Sequence, residues 1–382
     1  MLYYLHKFRF DVWGPLRLFE YQSTRAALAA LIAFAVVALM VRPLFYCLRS
    51  KIQPQRDDAL MGKSVNREKV PTMGGILIFA STIIATLLAA RPNVYVYSTL
   101  TVFIGMSLVG LFDDLKKVRE QKSDGISEKA KWLGLTLSAL AGFSILMLSD
   151  TARHNICELW IPFWSSPLFG PEASSAIFAT DAVPALLLCL LAAGFYWFVT
   201  VGCSNAVNLT DGLDGLAAGC ALPNILSFGL VAYFSGNFIW SNYFSINSVP
   251  GCGELAIFCV ALATGVMAFL WYNGEPAEIY MGDVGALGIG GSIGAVAVVS
   301  GQPFLLAGTG LIFVAEAGSV ILQRQYFKHT KARTGEGKRL FKRAPIHHHY
   351  QEKGFRNSKI VLRMWMITAV CCIVALLTLK LR

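Results

Sequence analysis

The 382-residue sequence predicts an all-α, polytopic membrane protein with about ten transmembrane helices and both termini facing outward. Three observations carry this. The chain is 55% hydrophobic and only 15% charged, far from the balance of a water-soluble domain. Its apolar residues fall in runs of about 20, the length that crosses a bilayer as a helix. Its basic residues are concentrated in three stretches, and their spacing gives a topology.

The first run covers 24–43 and is followed by seven Lys or Arg between 42 and 73. Runs at 74–91 and 95–112 come next, and the stretch 112–131 holds six more basic residues. Further runs lie at 131–149, 182–202, 213–235, 254–272, 284–301 and 303–322, before a stretch with twelve basic residues at 323–363 and a last run at 360–379. These three stretches hold 25 of the 33 basic residues and all follow odd-numbered runs. They therefore share one side, which the positive-inside rule makes the cytoplasm. The loops after the second, fourth, sixth and eighth runs carry only Arg91 and Arg153. Lys7, Arg9, Arg17 and Arg25 run against this pattern. Residues 1–22 mix aromatic and basic side chains without a short apolar core, as an interfacial segment does and a signal peptide does not. With no internal repeat or low-complexity linker, 1–382 reads as a single integral-membrane domain.

The net charge of +10 does not indicate nucleic acid, because the excess sits beside membrane runs, where topology and anionic lipid account for it. Nine cysteines show no C-x-x-C or Cys/His metal spacing. Two of them, Cys157 and Cys252, fall in outward-facing loops and form a candidate disulfide.

Polar features gather on the cytoplasmic side. "REKVPTMGGILIF" (67–79) brings two basic residues, Thr72 and a glycine pair to the mouth of the second run, which a helix start alone also explains. The third run ends in Asp113 and Asp114. Burying either in hydrocarbon would cost about 2.5 to 3.5 kcal/mol, and at a helix C-terminus both would face the unfavourable end of the macrodipole. Lys116, Lys117, Lys129 and Lys131 are candidate counter-charges, and a divalent cation such as Mg²⁺ is the stronger one.

In "CSNAVNLTDGLDGLAAG" (203–219), Asn205, Asn208, Asp211 and Asp214 recur every three residues, which on a helix is a polar stripe. The spacing does not fit a twelve-residue calcium loop. "WYNGEPAEIYMGDVGALGIGG" (271–291) starts a run at Asp283 and repeats Gly282, Gly285, Gly288, Gly291 and Gly294, a pattern that lets membrane helices pack closely. Asp283, at a helix start, is well placed to hold a metal. "GKRLFKRAPIHHHYQEKG" (337–354) sets three histidines among Lys338, Arg339, Lys342 and Arg343. Consecutive histidines cannot share one helix face, so the run reads as donors to a phosphorylated ligand rather than a zinc site. Glu316, inside the ninth run, reads as an interhelical partner outside the site. Carboxylates, bases and imidazoles at one membrane face are the parts of metal-assisted phosphoryl transfer between a lipid phosphate and a nucleotide. A transporter would instead place its acids near mid-membrane on interrupted helices.

These residues resemble the bacterial phospho-N-acetylmuramoyl-pentapeptide transferases, within the polyprenyl-phosphate sugar-1-phosphate transferases. The matching pieces are "PTMGGILI" (71–78), "GLFDD" (110–114), "NAVNLTDGLDGLA" (205–217), "YMGDVGALGIGG" (280–291) and "APIHHHY" (344–350), in the family's order along nearly the whole chain. The resemblance implies ten helices with periplasmic termini and a cytoplasmic active site in the bacterial inner membrane. It also implies Mg²⁺-dependent transfer of phospho-MurNAc-pentapeptide from UDP-MurNAc-pentapeptide to undecaprenyl phosphate, giving lipid I and UMP, with a homodimer as candidate assembly. Asp113, Asp114 and Asp283 match the catalytic aspartates, with Asp283 the foremost Mg²⁺ ligand. Asn208, Asp211, Asp214 and Asn273 match nucleoside-facing positions, and Tyr280 an aromatic that stacks on uracil. His347 and His348 match histidines near the sugar or diphosphate, Gln323 a substrate-side glutamine, and Lys117, Lys129 and Lys131 basic positions around the phosphates.

Two departures stand out. The family's Lys followed by "GTPTMGG" is here "REKVPTMGG", leaving Arg67 and Lys69 as alternative basic contacts, and Lys328–Lys338 is longer than usual. Direct attack by the lipid phosphate and a phospho-aspartate intermediate both remain open. A sister enzyme that moves GlcNAc-1-phosphate is the nearest alternative.

Overall fold

The computed structural model describes residues 1–8, 14–48, 70–120, 125–161, 167 and 185–380. Arg67 and Lys69 lie outside them. The regular structure of the described residues is all helical, with no strand. Two 3-10 turns, Leu2–Phe8 and Gly14–Glu20, precede α1 (Gln22–Leu48), α2 (Gly75–Ala89), α3 (Val94–Glu120), α4 (Glu128–Met147) and a short α5 (Asp150–Ile156). Then come α6 (Ala185–Thr210), α7 (Leu216–Ser235), a short α8 (Phe238–Phe244), α9 (Glu254–Asn273) and α10 (Gly282–Val299). The chain closes with α11 (Leu305–Thr309), α12 (Leu311–Thr334), α13 (Ile346–Gln351) and α14 (Asn357–Thr378).

Seven of these helices are long and apolar enough to cross a membrane: α1, α3, α6, α7, α9, α10 and α14. The other three expected spans fall on α2, on α4 and, for 303–322, on α11 together with the first half of α12, which are separate helices. The 15 residues of α2 reach only about 23 Å against a hydrocarbon core of about 30 Å. Charged residues close the other two, Glu128, Lys129 and Lys131 on α4 and Lys328, Lys331 and Arg333 on α12.

Three helices overrun their apolar runs, which corrects the expected environment of the polar residues. α3 continues to Glu120, so Asp113 and Asp114 lie inside the helix rather than at its end. Lys117 and Arg119 in its last turn suit the negative end of the dipole and let the helix continue. α6 continues to Thr210, so Asn205 and Asn208 are helical while Asp211 and Asp214 occupy the turn before α7. The expected single polar stripe is therefore split. Gly215, with φ of 73°, makes the break, since a side chain there would be strained. α12 continues to Thr334 and carries Gln323.

α10 is the axis of the bundle, and every residue from Val284 to Val299 is buried. Its glycines make this possible. A Cβ on Gly288 or Gly291 would strike Ser107 or Met106 of α3, and one on Gly294 would meet the Thr200 Cα of α6 at 2.9 Å. From the other side, a Cβ on Gly75 of α2 would lie 2.6 Å from the Gly285 Cα.

At the far end from the acids, Arg25 is buried and pairs with Glu254 through two contacts of 2.6 and 2.7 Å. Glu254 also accepts from the Arg91 amide. Arg25 is thus neutralised, which removes one of the N-terminal basic residues that opposed the topology. The Met1 ammonium donates to the carbonyls of Leu87 and Leu88, and Lys380 donates to the carbonyl of Tyr243, so both chain ends lie at this same end. The candidate disulfide does not form. Cys157 and Cys252 are free, buried thiols, the first beside Cys189 and the second beside Tyr95 and Cys259.

Candidate active site

The carboxylates of Asp113 and Asp114 on α3 and Asp283 on α10 converge, each offering an oxygen within 4.8 Å of the others. The close approach of the two helices brings them together, for Gly110 of α3 lies directly against the backbone of Asp283 and Val284. The Val284 amide donates to Asp114 Oδ2 at 3.3 Å. Across the α3–α4 connection, the Ile126 amide donates to Asp113 Oδ1 at 2.8 Å. Asn208 of α6 donates to Asp283 Oδ1 at 2.8 Å.

Two lysines balance these acids. Lys117 Nζ lies 2.5 Å from Asp113 Oδ2, 3.3 Å from Asp283 Oδ2 and 3.7 Å from Asp114 Oδ1. Lys131 Nζ reaches Asp283 Oδ2 at 2.5 Å. An ammonium ringed by three carboxylates occupies a position suited to a cation. The donor set fits Mg²⁺, which takes oxygen ligands at about 2.0 to 2.1 Å and keeps several waters. Lys129 is exposed and Lys116 pairs loosely with Glu120 at 3.9 Å, so neither joins the cluster.

Two loops wall the pocket. The Pro71–Gly75 segment is laced to the start of α10: Tyr280 N donates to Pro71 O, Gly74 N to Tyr280 O, and Gly75 N to Met281 O, at 2.8 to 2.9 Å. A Cβ on Gly282 would lie 3.3 Å from the hydroxyl of the buried Thr72 and closer still to Asp114. The Asp211–Gly215 turn is pinned at Gly215, whose amide donates to Asn273 Oδ1 at 3.0 Å and whose carbonyl accepts from Trp365 Nε1 at 3.1 Å. Asn273 Nδ2 also donates to Ile279 O at 2.8 Å, so its amide group ties the two walls together. Asp214 accepts from Ala277 N at 3.1 Å. Asp211 is partly buried beside Asp283, Asp114 and Asp214. Burial first, and then those negative neighbours, push its carboxyl up to about 8.

The three histidines point three ways, as consecutive residues on a short helix must. His347 is buried against Gly212, with Nδ1 2.9 Å from Glu316 Oε2. His348 Nδ1 lies 2.6 Å from Gln351, and His349 Nδ1 accepts from Lys342 N. Gln323 Oε1 accepts from the amides of Leu340 and Phe341 and so ties that loop to α12.

The sequence-derived residues that meet directly are therefore Asp113, Asp114, Asp283, Lys117, Lys131 and Asn208. Thr72, Asp211, Asp214, Asn273 and Tyr280 belong to the two walls, and His347 joins through Gly212. Gln323 is bound instead to the loop at Leu340 and Phe341, and Lys129 is exposed. Sequence reasoning did not place Trp365, for which no local signal exists, or Ile126, which acts through its backbone. Glu316 was legible as an interhelical partner, but not that its partner is His347.

The family model described as glycosyl transferase family 4 matches residues 96–301. A phospho-N-acetylmuramoyl-pentapeptide-transferase of Opitutus terrae is 40% identical over 380 residues, covering 97% of this chain and 98% of its own.

Proposed function

Because the chain belongs to glycosyl transferase family 4, as one of its phospho-N-acetylmuramoyl-pentapeptide transferases, we propose a Mg²⁺-dependent reaction at the inner face of the bacterial cytoplasmic membrane. The enzyme transfers phospho-MurNAc-pentapeptide to a lipid carrier and makes lipid I for peptidoglycan. The donor is UDP-MurNAc-pentapeptide and the acceptor undecaprenyl phosphate. An oxygen of the lipid phosphate forms a bond to the β-phosphorus, the bond from that phosphorus to the bridging oxygen breaks, and UMP leaves with the electron pair.

The convergence of Asp113, Asp114 and Asp283 around Lys117 carries this reading. Those three carboxylates would hold the Mg²⁺, which when bound polarises the diphosphate oxygens. Lys117 and Lys131 sit beside them and offset the charge of the incoming phosphates. Asp113 or Asp114 takes the proton of the lipid phosphate at the hydrocarbon boundary. Asn208 orients Asp283. Asp211, Asp214 and Tyr280 form the nucleoside side, shaped by Asn273. His347, His348 and Gln323 with its tied loop lie toward the sugar and diphosphate, while Thr72 and Lys129 complete the rim. The three basic stretches support a cytoplasmic position for this end of the bundle.

The test is purified protein with Mg²⁺, undecaprenyl phosphate and UDP-MurNAc-pentapeptide, assayed for UMP. Release that stops with EDTA and in Asp283→Asn is expected. Equal turnover of UDP-GlcNAc would move the chain to the sister activity, and full activity in Asp283→Asn would remove that residue from the chemistry.

A further inference from the structure

Glu316 is a fully buried carboxylate in an apolar stretch of α12, where an acid is costly unless it has a task. Its Oε2 lies 2.9 Å from His347 Nδ1 and 3.5 Å from the His347 backbone amide. Both donors come from one residue in the first turn of α13, so Glu316 caps that turn and clamps its side chain together. An oxygen that accepts from the amide is also disposed to accept from Nδ1–H. In the neutral ring, the lone pair then resides on Nε2.

That nitrogen is the unusual one. His347 Nε2 is buried and has no hydrogen-bond partner among the described residues, and it faces the Cα of Gly212 in the turn between Asp211 and Asp214. Glycine is what lets it come so near, since a Cβ there would collide with the imidazole. A buried polar nitrogen left unpaired costs about 1 to 3 kcal/mol, which a ligand can recover.

We propose that Glu316 is a positioning residue: it holds His347 in the Nδ1–H form and turns the Nε2 lone pair to the Gly212 turn, to accept from a hydroxyl or amide N–H of the bound nucleotide-sugar. The inference rests on the UDP-sugar reading above. If Glu316 only tied α12 to α13, its loss would lower stability and leave turnover intact in whatever protein remained folded.

Glu316→Met removes the acceptor at nearly constant volume. In the UMP-release assay its kcat/KM should fall about 10- to 100-fold, by analogy with the loss seen when the partner that orients a metal-bound imidazole is removed. Glu316→Gln, whose amide oxygen still accepts, should recover most of that loss. The double variant Glu316→Met/His347→Met should be no worse than His347→Met alone, because one residue acts through the other. Multiplicative losses, or a folded Glu316→Met with wild-type kinetics, would overturn the proposal. Nitrogen-15 spectra of histidine-labelled wild type, with His347→Met to identify the signal, read the tautomer without any turnover. A protonated Nδ1 supports the assignment, and a protonated Nε2 with bare Nδ1 sinks it. A wild type that released no UMP would instead count against the parent reading, and the spectra would still decide the role of Glu316.

Discussion

Substituting Gly110 by alanine tests whether the helix spacing, and not merely the identity of the acids, makes the site. A Cβ at position 110 would lie 2.5 Å from Val284 N and closer still to the carbonyl of Asp283. Ordinary contact begins at 3.4 Å, so α3 and α10 must separate by about 1 Å at the level of the carboxylates. Misplacement on that scale costs about 100-fold in rate when reacting groups must align, and the overpacking itself costs about 1 to 3 kcal/mol. Gly110→Ala should therefore fold, melt somewhat lower and release UMP about 100-fold more slowly, with every polar side chain still present. Gly194→Ala is the control, because a Cβ there meets nothing within 4 Å. A Gly110→Ala enzyme within about threefold of wild type would refute the argument, since a tolerance of that size is incompatible with a site that depends on alignment.

Three other outcomes follow from the same geometry. Arg25→Met strands the buried carboxylate of Glu254 and should cost about 3 to 5 kcal/mol of stability, seen as a lower melting temperature, while turnover measured well below it is unchanged. The raised carboxyl of Asp211 makes the folded state hold a proton that the unfolded chain has released, so its stabilising contribution fades as pH climbs from about 4 through about 8. In EDTA, Asp211→Asn should flatten that decline, and parallel melting curves for the two proteins would count against it. Asn273→Leu leaves the Gly215 amide and the Ile279 carbonyl unpaired at about 1 to 3 kcal/mol each, so it should melt lower and raise the KM for the nucleotide-sugar. Unchanged melting and KM would show that the two walls do not depend on it.

The acid cluster was legible because carboxylates at the edge of apolar runs are expensive, and Asp113, Asp114 and Asp283 occur where such runs begin or end. The run of the helices past those edges was not. Hydropathy stops at the first charges, whereas the helical backbone of α3, α6 and α12 carries on past them to Glu120, Thr210 and Thr334. The glycine period on α10 read correctly as a packing device, because small residues three apart have little other use in a membrane helix. Arg25 read only as a topological exception, since its partner Glu254 is 229 residues away and no local pattern links them. Trp365 and Gly215 are 150 residues apart, with the same result. The short helices α5, α8 and α13 fell below the length at which periodicity separates helix from loop, while α11 was read as part of the run 303–322.

One consequence of the sheathed glycine helix concerns motion. Asp283 is rooted in the first turn of the most enclosed element of the molecule, so it serves as a fixed jaw. Lys117 and Lys131 approach it on flexible four-carbon stems and can swing aside by side-chain rotation alone. Exchange of an ammonium for another cation at this jaw therefore needs no shift of the bundle, and rapid-mixing experiments should find metal loading limited by diffusion and dehydration rather than by a slow opening.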